Sequence, residues 1–290
     1  MKCSDINIRD PFILAYEGTY YMFGTPGQFA WSGAGGFWCY TSKDLVEWSD
    51  PIKCFTPPAD FWADRNFWAP EVHIYNGRFY MFASFFSENR NRCTQILAAD
   101  CPQGPYEIWS DPITPPDWMC LDGTFYVENG KPYMVFCHEH VQIGIGTICA
   151  IELSKDLKKP VSNAVTLFGA DEAAWVTCSN DDLVNGKPRM VTDGPFLHHD
   201  GKELTMFWAS FRNHSYAEGI AVSQSGSVLG PWKQLEEPLF DKDGGHGMLF
   251  RTFGGDMVFT LHSPNDNPKE RPVFFRITKD ESGWHKGEQI

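Results

Sequence analysis

Apolar positions along this chain fall in short runs, and 26 Gly and 20 Pro punctuate them. Runs of that length, with no sustained 3.6-residue period, predict strands joined by turns rather than helices. Five segments repeat one pattern: DPFILAYEG at 10–18, APEVHIYNG at 69–77, DGTFYVENG at 122–130, DGPFLHHDG at 193–201 and HGMLFRTFG at 246–254. Each opens eight positions before a Gly, and a second apolar run follows it: TYYMFGT, RFYMFAS, KPYMVFC, ELTMFWAS and DMVFTLH. Strand, Gly-containing turn and strand predict a β-hairpin, here in five copies 53 to 71 residues apart. A third apolar segment and a turn complete each unit, as in YTSKDLVEW at 40–48 and AVSQSGSVLGPW at 221–232. Units of about four strands repeated radially make a β-propeller. The predicted fold is therefore all-β, a single five-bladed propeller over residues 1–290, with inner strands beginning near 10, 69, 122, 193 and 246. A β-sandwich gives no reason for the eight-residue register, and a parallel β-helix needs a much shorter repeat.

Composition narrows the function. No apolar run approaches the roughly 18 residues of a membrane-spanning helix, so no membrane partner is expected. The 24 Lys and Arg against 37 Asp and Glu give a formal charge of −13, which repels phosphate backbones and argues against nucleic acid. Aromatic residues reach 15%, suiting strand faces and flat platforms for sugar rings. Nine cysteines without CxxC spacing indicate neither a zinc site nor a disulfide framework; reduced thiols are expected. MKCSDINIRDPF has no secretory apolar core, so the expected location is cytoplasmic, or secreted with a leader removed.

In a propeller, equivalent positions of the inner strands face one another across a central channel. Asp10, Ala69, Asp122, Asp193 and His246 share the repeat register, so three carboxylates and an imidazole are expected to converge at one mouth. Glu71 lies two residues further along the same strand face. An Asp before Gly or Pro is often a turn residue bonded to its own backbone, but three at one register point to chemistry. Carboxylates from different blades suit inverting glycoside hydrolysis, in which one activates water and another, protonated, donates to the leaving group. A third carboxylate raises the pKa of the acid by like-charge repulsion. Trp68, Trp62, Trp38 and Phe196 are candidates for a sugar platform.

The chain resembles glycoside hydrolase family 43. The resemblance rests on Arg9-Asp10-Pro11, Trp68-Ala69-Pro70-Glu71, Leu121-Asp122-Gly123 and Thr192-Asp193-Gly194-Pro195, one motif per blade in order. It implies a five-bladed propeller that cleaves α-L-arabinofuranosides or β-D-xylosides with inversion. Asp10 then matches the general base, Asp122 the pKa-modulating and orienting carboxylate, and Asp193 the general acid. The family's acid motif usually reads Glu-Gly-Pro, so Asp193 is one methylene short. Three readings stay open: Asp193 is the working acid, Glu71 donates instead, or activity has been lost; the intact register favours the first. The resemblance also implies that His246 sits near the channel axis, close to calcium or another cation held mostly through water, since hard cations prefer oxygen. Arg271 in ERPVFF resembles a substrate-reaching arginine. His138, Glu139 and His140 form a charged end to an apolar strand and suggest a pocket rim.

The expected activity is removal of terminal α-L-arabinofuranosyl or β-D-xylosyl residues from an oligosaccharide or polysaccharide. No cofactor is required and no protein partner is implied. The alternatives are a non-catalytic carbohydrate-binding propeller, or a glycoside phosphorylase, which needs a cationic cluster that this register lacks.

Overall fold

The computed structural model describes residues 1–290 apart from Ser32 and Ala34. Five four-stranded antiparallel sheets follow one another along the chain, each with its strands in sequence order. Blade 1 comprises Ile8–Tyr16, Thr19–Pro26, Phe37–Ser42 and Ile52–Phe55. Blade 2 comprises Arg65–Tyr75, Arg78–Ser87, Arg90–Ala99 and Glu107–Ile108. Blade 3 comprises Cys120–Glu128, Lys131–His138, Thr147–Glu152 and Val165–Gly169. Blade 4 comprises Asp193–His199, Leu204–Arg212, Ser215–Ser223 and Trp232–Gln234; blade 5 comprises Gly245–Arg251, Met257–Ser263, Arg271–Asp280 and Gly283–Gln289. The sheets form a five-bladed β-propeller. Outside the blades lie a one-turn α-helix, His140–Ile143, a hairpin of Asn180–Val184 with Lys187–Arg189 between blades 3 and 4, and short 3-10 turns at Cys3–Asp5, Gly27–Phe29 and Ala170–Glu172. All nine cysteines are free, and no helix among the described residues is long and apolar enough to cross a membrane.

Aromatic side chains fill the spaces between blades. Phe37, Phe55, Phe67 and Phe85 pack together between blades 1 and 2, and Trp175 and Trp208 join blades 3 and 4. Each such ring contributes roughly 1.5–3 kcal/mol by leaving water, so the high aromatic content is first of all the cement of the ring.

Every inner strand carries a β-bulge near its start, where two residues oppose one on the second strand. The bulged pairs are Asp10-Pro11, Ala69-Pro70, Asp122-Gly123, Gly194-Pro195 and His246-Gly247. The first member of each is left-handed, with φ of 54°, 46°, 57°, 49° and 54° respectively, a conformation unfavourable for non-Gly residues. Hydrogen bonds offset this cost, because each bulge turns a backbone N–H sideways into the preceding blade. Ala69 N–H donates to Thr25 Oγ1 at 2.7 Å, Asp122 N–H to Ser84 Oγ at 2.9 Å and Gly194 N–H to Asp122 Oδ2 at 3.0 Å. Gly247 N–H donates to Glu218 Oε2 at 3.1 Å, and Asp10 N–H to His262 Nδ1 at 3.2 Å. These five bonds run once around the channel and close on themselves.

The bulges correct the register read from sequence. Counting eight residues back from a Gly put Asp193 level with Asp10 and Asp122. The equivalent bulge residue in blade 4 is Gly194, and Asp193 instead matches Arg9, Trp68 and Leu121. The count misleads because the bulge lies five residues before the last paired residue, His199, in blade 4 but six before Tyr16 in blade 1. A side chain at position 194 is excluded as well: a Cβ there would lie 2.6 Å from the His246 ring.

The seam between blades 5 and 1 is closed by side chains as well as by the Asp10 bond. Arg9 Nη1 donates to Glu270 Oε1 at 2.9 Å, with Glu270 fully buried, and Asn7 Nδ2 donates to the carbonyls of Pro268 and Glu270 at 2.9 and 3.0 Å. Breaking a buried pair from one side strands a charge and costs about 3–5 kcal/mol. Glu270→Ala is therefore expected to lower the midpoint of urea unfolding by that equivalent. An unchanged midpoint would mean that the pair adds nothing to closure.

Candidate active site

At the end of the channel where the inner strands begin, residues of all five blades line a cavity of about 680 Å³. Its floor holds the bulge residues Asp10, Asp122 and His246, and its wall holds Arg9, Trp68, Leu121 and Asp193 from the preceding position. His246 Nδ1 lies 3.3 Å from Asp10 Oδ1 and 3.6 Å from Asp122 Oδ2, so one imidazole edge spans two carboxylates. Thr25 Oγ1 donates to Asp10 Oδ2 at 2.6 Å. Tyr216 Oη donates to Asp193 Oδ2 at 3.0 Å. His262 is fully buried, and burial pushes its imidazole down to about 3; the neutral ring accepts from Asp10 N–H while its Nε2 faces Asn265 Oδ1 at 3.3 Å.

The carboxyls have been driven apart in acidity. Burial alone would raise Asp10, but His246, Arg9 and the Thr25 hydroxyl outweigh it and hold that carboxyl below the ordinary Asp value. Burial raises Asp193, the negative charge of Asp122 adds to it, and the result is about 7. Asp122 is also raised, by burial and then by Asp10, with the Gly194 N–H opposing. At neutral pH the cavity thus holds an ionised Asp10 and a proton on its other side.

Not every residue singled out from sequence reaches the cavity. Glu71 is buried with its Oε2 at 2.9 Å from His73 Nε2, and it does not line the cavity. His138 stacks on Trp118, centroids 4.3 Å apart, and its Nε2 meets Gln142 Oε1 at 2.7 Å; the next two residues, Glu139 and His140, line the cavity in its place. Phe196 lies beyond the bulge and packs edge-on against Phe12 in the core. Arg271 donates to the carbonyls of Ser4, Pro268 and Glu270 and is held outside. Trp38 stacks on Phe29, and Trp62 borders a separate groove. Trp68 does line the cavity, but the Arg92 guanidinium lies 4.2 Å from its ring centroid.

Other lining residues gave no sequence signal. Arg92 is buried against Glu139 and reaches Asn66 Oδ1 at 3.2 Å. Trp31 stands at the mouth, 61% exposed, with its ring 5.5 Å from the Arg9 guanidinium. As for a cation, no three His, Cys, Asp or Glu side chains among the described residues come together with metal-binding geometry, and the Nδ1 edge of His246 is taken by carboxylates. These residues build no protein cage for an ion.

The model of glycosyl hydrolases family 43 matches residues 5–285. The chain belongs to glycoside hydrolase family 43. An endo-arabinase from Bacteroides thetaiotaomicron is 39% identical and superposes with a TM-score of 0.88, covering 97% of this chain and 98% of that one. Among curated family relatives, the extracellular exo-α-(1→5)-L-arabinofuranosidase ArbA of Cellvibrio japonicus is 22% identical over 96% of this chain and 86% of its own length. The extracellular endo-α-(1→5)-L-arabinanase 1 of Bacillus subtilis is 22% identical over 68% of this chain and 69% of its own. Family 43 membership makes the chain a glycoside hydrolase by descent, while relatives of both exo and endo action leave its own bond preference open.

Proposed function

We propose that this protein hydrolyses α-L-arabinofuranosidic bonds of an arabinan-type polysaccharide by single displacement, releasing terminal residues with inversion. The carrying observation is one cavity lined by Asp10 on its floor, its carboxyl held below the ordinary Asp value, and by Asp193 on its wall, one residue nearer the mouth, its carboxyl raised to about 7. Asp10 takes a proton from water as that water attacks the anomeric carbon, and Asp193 gives its proton to the departing glycosidic oxygen. Asp122 touches neither: it accepts the Gly194 N–H next to the acid, and because neighbouring buried carboxyls resist ionising together, the Asp122–Asp193 pair retains a proton beside the leaving group. Tyr216 Oη donates to the Asp193 carboxyl and fixes its orientation. Glu71, tied to His73, is no substitute donor. ArbA and arabinanase 1 are extracellular by name, and a polymer has to be met outside the cell; we assign this enzyme the same location.

The test is proton NMR of the first product from 4-nitrophenyl α-L-arabinofuranoside, 4-nitrophenyl β-D-xyloside and linear arabinan. Initial appearance of the β-anomer of free arabinose supports the reading. Retention of configuration, or release of sugar from the xyloside alone, overturns it; longer oligosaccharides from arabinan assign endo action.

Trp31, packed edge-on against Trp68 and largely exposed at the cavity mouth, is suited to stack the sugar beyond the scissile bond. Trp31→Ala is expected to raise KM for arabino-oligosaccharides roughly five- to tenfold and to leave KM for the nitrophenyl glycoside within about twofold. Equal effects on both substrates would remove the assignment.

A further inference from the structure

Three guanidinium groups line the cavity, and two of them are satisfied from behind: Arg9 by the fully buried Glu270 and Arg92 by the buried Glu139. Arg189 differs. It comes from the hairpin inserted between blades 3 and 4, and its side chain is 23% exposed. The single carboxylate that it meets among the described residues is Asp182, at 3.5 Å and itself 73% exposed. Its Nη2 donates to His140 Nε2 at 3.2 Å; its Nε, like that of Arg92, is buried with no hydrogen-bond partner among the described residues, so what sets Arg189 apart is its exposed carboxylate partner. An ion pair with so exposed a partner is weak and readily exchanged, whereas a guanidinium on a cavity wall is shaped to take a planar carboxylate through two parallel bonds. Burial and the neighbouring Arg189 and Arg92 hold the His140 imidazole down, to about 4, so this neighbour adds no competing charge and serves to steer the guanidinium. Asn180, paired with Arg189 across the hairpin, lines the same wall.

Arg189 and Asp193 both line the cavity from the stretch of chain that leads into blade 4, whereas Asp10 lines it from blade 1. An anion at Arg189 is accordingly assigned to the side of the proton donor and the leaving group rather than to the side of the nucleophile. Resting on the hydrolase reading above, we propose that Arg189, steered by His140, binds the carboxylate of a hexuronic acid in the leaving group, so that the preferred substrate is an arabinofuranosyl unit borne on an acidic sugar. The inserted hairpin is then a selectivity element that the five-fold repeat does not supply. Inorganic phosphate offers the same charge, but as a nucleophile it would be needed beside Asp10.

The experiment compares kcat/KM for two disaccharides that differ only in the leaving sugar, galacturonic acid against galactose, each carrying α-L-arabinofuranose. Wild type is expected to prefer the acidic one by about tenfold or more at low ionic strength, with the preference shrinking as salt is added. The ratio should fall to near one in Arg189→Gln, survive in part in Arg189→Lys and rise in Asp182→Asn, which removes the competing carboxylate; circular dichroism checks that each variant is folded. A wild-type ratio of one or less, a ratio unchanged in Arg189→Gln, or formation of arabinose phosphate on adding inorganic phosphate each overturns the proposal. If neither disaccharide is cleaved, the hydrolase reading fails separately, and calorimetric binding of both to Asp10→Asn still decides: tighter acidic binding lost in the Arg189→Gln double variant upholds the carboxylate site, and equal binding ends it.

Discussion

Asp10→Asn is expected to bind arabino-oligosaccharides normally and to turn them over about 10³- to 10⁴-fold more slowly. The amide keeps the shape of the side chain and its contact with the Thr25 hydroxyl, and the backbone N–H that donates to His262 is untouched, so the cavity is preserved. What disappears is the group that accepts a proton from water. The loss should be the same for a nitrophenyl glycoside as for a natural oligosaccharide, because a better leaving group does nothing to deprotonate the nucleophile. Steady-state kcat on both substrates, with dissociation constants from calorimetry, checks this. Activity within tenfold of wild type would move the base elsewhere.

Asp193→Ala should show the opposite dependence. Cleavage of arabinobiose is expected to drop about 10²- to 10⁴-fold, while nitrophenyl release falls far less, since nitrophenolate departs without a proton. The acid must be protonated to act. With the Asp193 carboxyl raised to about 7, wild-type kcat/KM on arabinobiose should decline as pH rises through about 7. Asp10 is held below the ordinary Asp value, so it stays ionised across that range, and activity is lost on its account only well into the acid. In Asp193→Ala the alkaline decline should vanish. A decline that persists in the variant would assign the titration to another group.

The repeat and the identity of the three aspartates were legible in the sequence because a propeller writes one hairpin per blade and punctuates it with Gly. The tier of Asp193 was not, because the number of residues between a bulge and its hairpin turn differs from blade to blade, and only strand pairing reveals it. Trp31, Arg92, Arg189, Tyr216 and His262 were equally hidden. They sit in loops, in the hairpin outside the repeat, or singly on second and third strands, and converge only when the ring closes. Glu71, His138, Phe196 and Arg271 were legible as chemistry in one dimension, but each found a local partner, namely His73, Trp118 with Gln142, Phe12, and three carbonyl groups. Polar side chains settle with the partners that cost least to reach, and sequence spacing does not disclose them.

No strand crosses the seam between blades 5 and 1: each sheet is built from one uninterrupted stretch of chain. The molecule is therefore indifferent, in principle, to where its chain is cut, so long as the five sideways N–H bonds can still form. Joining the present termini with a flexible linker and opening the backbone at another interblade connection should give circular permutants that fold and retain the full cavity. The same property makes activity an all-or-nothing report on the ring, since four blades, however well formed, hold at most part of the chemistry.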